Sequence, residues 1–348
     1  MSKSQVLGVD IGGANLKFAD SCGHSYSTAF PMWTEHEHLS QALAIGMRSL
    51  RDRYNLPSFD LVAVTMTGEL ADCFATRRMG VTQILDQVEL LGLEIAVYST
   101  DGNWLTPGQA RQQAWDVAAS NWHALACWLL SPALVSLSPA SSSDFDLIVD
   151  VGSTTVDIVP VVDGRIATAA KTDRQRMQLG QLVYTGMQRT PVAAICQALD
   201  VDSERCPLMA ERFATSDDAY LVLELVDESD CCDTADGQPR TRVCAASRLA
   251  RMVGEDAETL CQSTIAALAN QVIDAQVHQV ADAISRNLFA GARPSNVLIS
   301  GHGRPLMNRV LSLLPQCAPH WLDECLPAEA ARCAPAVAVA SLRENWGA

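Results

Sequence analysis

The stretch LGVDIGGANLKFAD, Leu7 to Asp20, is an apolar run (Leu7, Val9, Ile11) that carries an aspartate, Asp10, breaks on Gly12-Gly13, and resumes from Leu16 to Ala19. Alone, it reads either as an ordinary β-hairpin or as a turn shaped to hold phosphate, since glycine lets backbone N–H groups approach an anion closely. The pattern returns about 140 residues later in DLIVDVGSTTVDIVPVVDGRIAT, Asp146 to Thr168. There Asp150 falls on Asp10, Val151 on Ile11 and Gly152 on Gly12. Two copies of one strand–turn–strand unit, each with an aspartate two residues before a glycine, indicate a duplicated architecture whose turns face each other across a cleft. Gly12, Gly13 and Asn15, with Gly152, Ser153, Thr154 and Thr155, are then the expected phosphate-binding residues. Asp10 and Asp150 are expected to hold Mg²⁺, directly or through its waters. Lys17 joins them if strand alternation turns it toward the cleft.

Working outward, residues 5–11, 15–20 and 24–30 read as three strands, followed by a helix over 36–53 that ends near Asn55 and Pro57. DLVAVTM (60–66) and EIAVYS (94–99) read as buried strands with a helix around 80–92 between them. The pattern is helical again from Pro107 to about Leu130, and the serine-rich 136–146 reads as a linker. These features divide the chain into units 1–135 and 136–348, the second with a mostly helical insertion at about 174–290. NVLISGHGRPLMNRVL, Asn296 to Leu311, reads as a buried strand, a glycine turn and a helix. A glycine turn at a helix start suits an anion or a nucleotide sugar, which makes Gly301, His302 and Gly303 candidate nucleotide- or substrate-binding residues. In LVYTGMQRTPV (182–192), Tyr184 and Arg189 are further candidates, because a guanidinium there could pair with phosphate or carboxylate.

The net charge is −15, from 25 basic and 40 acidic residues, which argues against nucleic acid or an anionic membrane surface as the main partner. Phosphate binding in so acidic a chain needs local help from amides, a few cations or a metal. The N-terminus shows no signal pattern, and HALACWLLSPALVSL is too short to span a bilayer. A cytoplasmic location follows as the expectation. The twelve cysteines, scattered and without a C-x-x-C pair, then read as reduced and mostly buried thiols, with a structural zinc as the less favoured alternative.

The two Asp-x-Gly turns plus SGHG (300–303) resemble those of the actin, sugar-kinase and Hsp70-type ATPase superfamily, nearest its hydantoinase and oxoprolinase branch. Longer phrases are more specific: VTMTGELADCF (64–74), YSTDGNW (98–104), AASNWHALA (118–126), LVYTGMQRTPV and ERFATSDDAYLVL (211–223). They resemble the tetrahydromethanopterin-linked one-carbon transfer family over nearly the whole chain. The resemblance implies an α/β fold of two actin-like (ribonuclease H-like) domains around a central cleft. It also implies a transferase role in methanofuran-type cofactor biosynthesis, joining an aminomethyl-furan diphosphate to γ-glutamyltyramine with release of diphosphate. The superfamily loops taken alone imply a different reading, an ATP-dependent small-molecule kinase or ATPase with ATP in the cleft.

For the transferase, the phenol acceptor needs a base. Asp101 is the leading candidate because it follows EIAVYS at the strand's C-terminal end, where ligand sites of open α/β sheets gather. Glu69, placed likewise after DLVAVTM, is the second.

Overall fold

The computed structural model describes residues 5–131, 145–288 and 295–346. Most of the serine-rich stretch and the expected boundary at 135/136 lie outside the described residues. Strand β1 (Val6–Ile11) pairs antiparallel with β2 (Asn15–Ala19), and β2 with β3 (Ser25–Ala29). On the other side of β1, β4 (Leu61–Met66) and then β5 (Glu94–Tyr98) add in parallel, and the short β6 (Trp104–Leu105) completes the order β3-β2-β1-β4-β5-β6. Every residue of β1 and β4 is buried, as strands covered on both faces require.

The second sheet repeats this plan. Strand β7 (Leu147–Val151) pairs antiparallel with β8 (Val156–Val162), which also pairs with β9 (Arg165–Ile166) and β10 (Leu182–Val183). In the insertion, β11 (Ala198–Val201) and β12 (Glu204–Pro207) form a separate two-stranded ribbon. Then β13 (Ser295–Gly301) and β14 (Cys317–Trp321) add in parallel beyond β7. Each sheet is thus an antiparallel hairpin extended by parallel strands on the hairpin's first strand. These are the two actin-like (ribonuclease H-like) units of the expected α/β fold.

Helices Leu39–Tyr54 and Arg77–Glu89 cover one face of the first sheet, with Leu43, Leu50, Val81 and Leu85 packed on Val9, Ile11 and Val64. The helix Gln262–Asn287 covers the second sheet, burying Leu268, Val272 and Ile284 against Leu147, Val149 and Ile158. Between the sheets lie two helices, Asn121–Leu129 and Ala334–Glu344. Leu125, Ala126 and Val337 pack with Ile148, Val159 and Leu298 of the second sheet, while Ala124, Val339 and Ala340 pack with Val6, Leu61 and Ala96 of the first. A Cβ on Gly8 would fall 2.0 Å from the carbonyl oxygen of Ala336, so glycine on β1 and alanines on the helix set how closely the two approach. A linear division of the chain does not describe where this last helix packs.

Several local expectations differ from the structure. The helix expected around 80–92 starts at Arg77, because Thr76 caps it by accepting the Met79 N–H at 3.2 Å. The helical stretch from Pro107 breaks into three pieces, with Ala118 bridging Met66 and Ala119 at φ 48°. The β11–β12 ribbon turns at Asp202-Ser203, both at positive φ, a two-residue hairpin turn made without the usual glycine signal. The cysteines are free thiols, but only Cys333 is fully buried, and Cys22, Cys231, Cys232 and Cys261 are exposed. No helix among the described residues is long and apolar enough to cross a membrane.

Candidate active site

The two hairpin turns close in the same way. Gly12 N–H donates to Asn15 O at 3.0 Å, and Gly152 N–H to Thr155 O at 2.9 Å. The strand registers place Lys17 opposite Asp10 in the first hairpin and Asp157 opposite Asp150 in the second. Directly opposed residues share a face of the sheet, so all four side chains point into the space between the units. That space is a cleft of about 520 Å³ whose lining includes both turns and all four residues. A smaller depression of about 210 Å³ beside His36 and Gln83 touches neither turn. The amides of Gly13, Ala14, Ser153 and Thr154 have no acceptor among the described residues, which leaves them free for an anion.

Charge in the cleft is balanced locally. Lys17 Nζ lies 3.1 Å from Asp10 Oδ2, while Asp10 Oδ1 is buried without a hydrogen-bond partner among the described residues. Burial pulls the Lys17 amine down, but Asp10 and Asp150 more than offset this and hold it above its ordinary value. Burial and the nearby Asp157 push Asp150 up to about 6, against the opposing pull of Lys17. Asp157 is engaged by the buried Arg176 at 2.6 Å, whose guanidinium lies 4.1 Å from the centre of the Trp122 ring. Among the described residues no group of three or more His, Cys, Asp or Glu side chains is arranged to hold a metal. A magnesium ion, however, commonly takes one or two carboxylates and completes its shell with water and phosphate oxygens. The orphaned Asp10 oxygen and the Asp150 carboxylate fit that demand.

The second turn is held from behind. Gln188 and Arg189 N–H both donate to Ser153 O at 3.0 Å, and Met187 N–H to Gly152 O at 3.1 Å. Gly186 has no room for a side chain, since a Cβ would sit 2.5 Å from Thr154 N. Behind Gly186, the buried Gln276 donates to Thr185 Oγ1 and Gly186 O, both at 2.8 Å, and accepts from Tyr220 OH at 2.7 Å. Sequence reading had no signal for Gln276, which looks like one more residue of a long helix. A Gly186→Ala substitution is therefore expected to push the turn out of line. One charge-assisted hydrogen bond is worth about 1.5–3 kcal/mol, so binding of magnesium diphosphate, measured by calorimetry, should weaken by roughly tenfold or more.

Glu69 follows β4, the strand next to β1, and lines the cleft. Gly68 beside it packs on the Gly12 carbonyl, 3.0 Å from where its Cβ would be. The Glu69 side chain is 1% exposed, and neither carboxylate oxygen is within good hydrogen-bond geometry of a donor among the described residues, although the backbone N–H groups of Glu69 and Ala119 lie close enough to favour its ionised form. Burial pushes its carboxyl up to about 7, which Arg77, 3.7 Å away, offsets only in part.

Asp101, the leading candidate from sequence, is not brought there. It follows β5, one strand further from β1, and sits exposed in an ion pair with Lys171 outside the cleft lining. Nor do Gly301, His302 and Gly303 line the cleft. Gly301, at φ +87°, and Gly303 let β13 and its turn close onto Val151, where Cβ atoms would lie 2.2 and 2.1 Å from Val151 atoms. Burial pulls the His302 imidazole down to about 3. Tyr184 and Arg189 do line the cleft, Tyr184 61% exposed and Arg189 stacked 4.7 Å from the Trp33 ring centre and paired with Asp233 at 3.2 Å. The structure adds Asp173, Arg176, Trp33, Asn121 and Arg212 to the lining, beside Asp157.

The site is thus a cleft of a two-unit α/β molecule, lined by opposed glycine turns and a buried carboxyl. The chain belongs to the hydantoinase/oxoprolinase family, whose model matches residues 60–308. It is similar to the "(4-{4-[2-(gamma-L-glutamylamino)ethyl]phenoxymethyl}furan-2-yl)methanamine synthase" of Methanocaldococcus jannaschii, 33% identical over 317 residues that cover 89% of each chain. A protein of the same name from Methanococcus vannielii is 28% identical over 169 residues, 48% of this chain and 75% of that one. Solved structures align more loosely. A ROK family glucokinase from Streptomyces griseus, in complex with glucose and AMPPNP, is 14% identical over 96% of this chain and 98% of that one, with a TM-score of 0.47. The activator of 2-hydroxyisocaproyl-CoA dehydratase from Clostridium difficile is 12% identical over 98% and 96%, with a TM-score of 0.44.

Proposed function

We propose that this protein is a transferase of methanofuran-type cofactor biosynthesis that joins an aminomethyl-furan diphosphate to γ-glutamyltyramine. The observation that carries this reading is the 33% identity to the Methanocaldococcus jannaschii synthase across 89% of both chains. The product in that synthase's name is an aryl ether, a phenoxy oxygen on a furan methyl carbon. Its simplest assembly is attack of a phenol oxygen on a furan-methyl carbon that bears a leaving group. A cleft with two amide-lined turns and Lys17 suits diphosphate as that group.

The phenol O–C bond forms, the C–O bond to diphosphate breaks, and the electron pair leaves on diphosphate. The phenol proton passes to Glu69. A phenol has a pKa of about 10, so a carboxylate near neutrality is a better-matched base than an ordinary one. Negative charge grows on the diphosphate, where the Gly13, Ala14, Ser153 and Thr154 amides and the Lys17 ammonium stabilise it. Mg²⁺ held by Asp10 and Asp150 would add a fixed positive charge at the same place. Arg189, stacked on Trp33 at the cleft wall, is suited to the glutamyl carboxylate of the acceptor.

Phosphorus NMR of the protein with Mg²⁺, the furan diphosphate and γ-glutamyltyramine tests this, beside a parallel tube with ATP. The expected result is diphosphate release that requires the phenol, stops on chelation with EDTA and is lost in Asp10→Ala. ADP in the ATP tube without diphosphate release in the other would overturn it in favour of a kinase-type reaction.

A further inference from the structure

Glu69 faces a cation that is committed elsewhere. Arg77, on the first turn of helix Arg77–Glu89, has Nε 3.7 Å from Glu69 Oε1, yet its Nη2 makes the closer contact, 2.5 Å, with Asp173 Oδ2. The Trp115 ring, 5.5 Å away, bounds the guanidinium as well. Asp173 belongs to the other unit. It is the first residue of helix Asp173–Gln178, fixed there by the Thr172–Gln175 capping box. Two residues earlier, Lys171 pairs with Asp101 of the first unit, so the segment 171–173 is docked across the boundary by two ion pairs.

We infer that Asp173 is a positioning residue for Glu69: by holding the Arg77 guanidinium, it leaves the Glu69 carboxylate free to take the acceptor's proton. This rests on the reading of Glu69 as the base. Without Asp173, the N–H groups of Arg77 are free to turn onto Glu69 as a bidentate pair, which stabilises the ionised form and makes it a poor base. Other charges nearby are already engaged: Asp157 with Arg176 at 2.6 Å and Asp10 with Lys17 at 3.1 Å. The Arg77 charge favours the ionised form of Glu69 and the Asp173 charge opposes it. Because Arg77 and Asp173 come from different units, the readiness of the base depends on the two units being together.

Asp173→Asn keeps the shape and removes the charge. In the wild type the acidic limb of kcat/KM against pH follows Glu69. In Asp173→Asn that limb should move down by about one pH unit or more, and the rate at pH 8 should fall by up to about tenfold per unit, as a weaker base requires. Removing the arginine as well, in Asp173→Asn/Arg77→Gln, should return the limb to the wild-type position or above. A second readout does not need turnover: the infrared carboxyl band assigned by its loss in Glu69→Gln should titrate at lower pH in Asp173→Asn. A lower rate or Tm in Asp173→Asn, with the limb and the band titrating as in wild type, would overturn the inference. If Glu69→Gln keeps the wild-type limb, the base reading fails, and the infrared comparison still decides whether Asp173 governs Glu69.

Discussion

Glu69→Gln should lower kcat by about 10²- to 10⁴-fold, the usual worth of a positioned general base, while making the folded protein more stable at pH 8. Both effects come from one buried carboxyl. Its folded pKa is about 7 against an ordinary 4.5. Between those values the folded state binds a proton that the unfolded state does not, so stability falls as pH rises from 4.5 and the loss is complete above 7. A tenfold difference in proton affinity between the two states is worth about 1.4 kcal/mol, so the destabilisation above pH 7 is about 3 kcal/mol. Glutamine cannot ionise and removes it. Thermal unfolding of the two proteins at pH 5 and pH 8, beside diphosphate-release rates, checks this. The Tm gain should be small at pH 5 and clear at pH 8. A variant slower by less than tenfold would return the role of base to another group.

The second large effect concerns stability. Arg248 is 0% exposed and donates from Nε to Asp218 Oδ1 at 2.7 Å and from Nη1 to Asp236 Oδ1 at 3.0 Å. Asp218, 2% exposed, also accepts the Thr215 N–H at 2.8 Å to cap its helix. Burial pushes Asp218 up to about 6, even with Arg248 opposing it. Arg248→Met leaves that carboxyl buried and unpaired, and breaking such a pair costs about 3–5 kcal/mol. With the arginine gone, the folded pKa of Asp218 rises further while the unfolded value stays put. The folded wild-type carboxyl is itself protonated below about 6, so the extra penalty is small below that pH and grows as pH rises through 8. Urea unfolding at pH 8 and pH 5 should show this slope, and Asp218→Asn in the same background should recover most of the loss at pH 8. A penalty independent of pH would place its origin in lost packing. The helix concerned carries Tyr220, which holds Gln276, which in turn backs the second glycine turn, so the damage should reach the site too.

The sequence by itself determined the two hairpins and their likeness. An aspartate two residues before a glycine turn, flanked by apolar alternation, is a local arrangement, and glycine's freedom and the pleat's period of two act within a few residues. For the same reason Asp10, Asp150 and the turn residues were legible as cleft residues, and Lys17 needed only the register to place it beside Asp10. Tertiary structure alone decided the rest. Both Asp101 and Glu69 end a parallel strand, but only the order β1-β4-β5 puts Glu69 next to the first turn and leaves Asp101 on the outside. Strand order is a long-range choice that no local pattern records. The glycines of SGHG look like an anion-binding turn in isolation. Contact with Val151, some 150 residues earlier, instead uses their missing side chains to let two strands close. The pairings that tune the site, Arg77 with Asp173 and Arg176 with Asp157, join residues whose charges are unremarked in sequence. They acquire their effect only where folding takes both partners out of water, because the strength of a charge depends on its surroundings and not on its place in the chain.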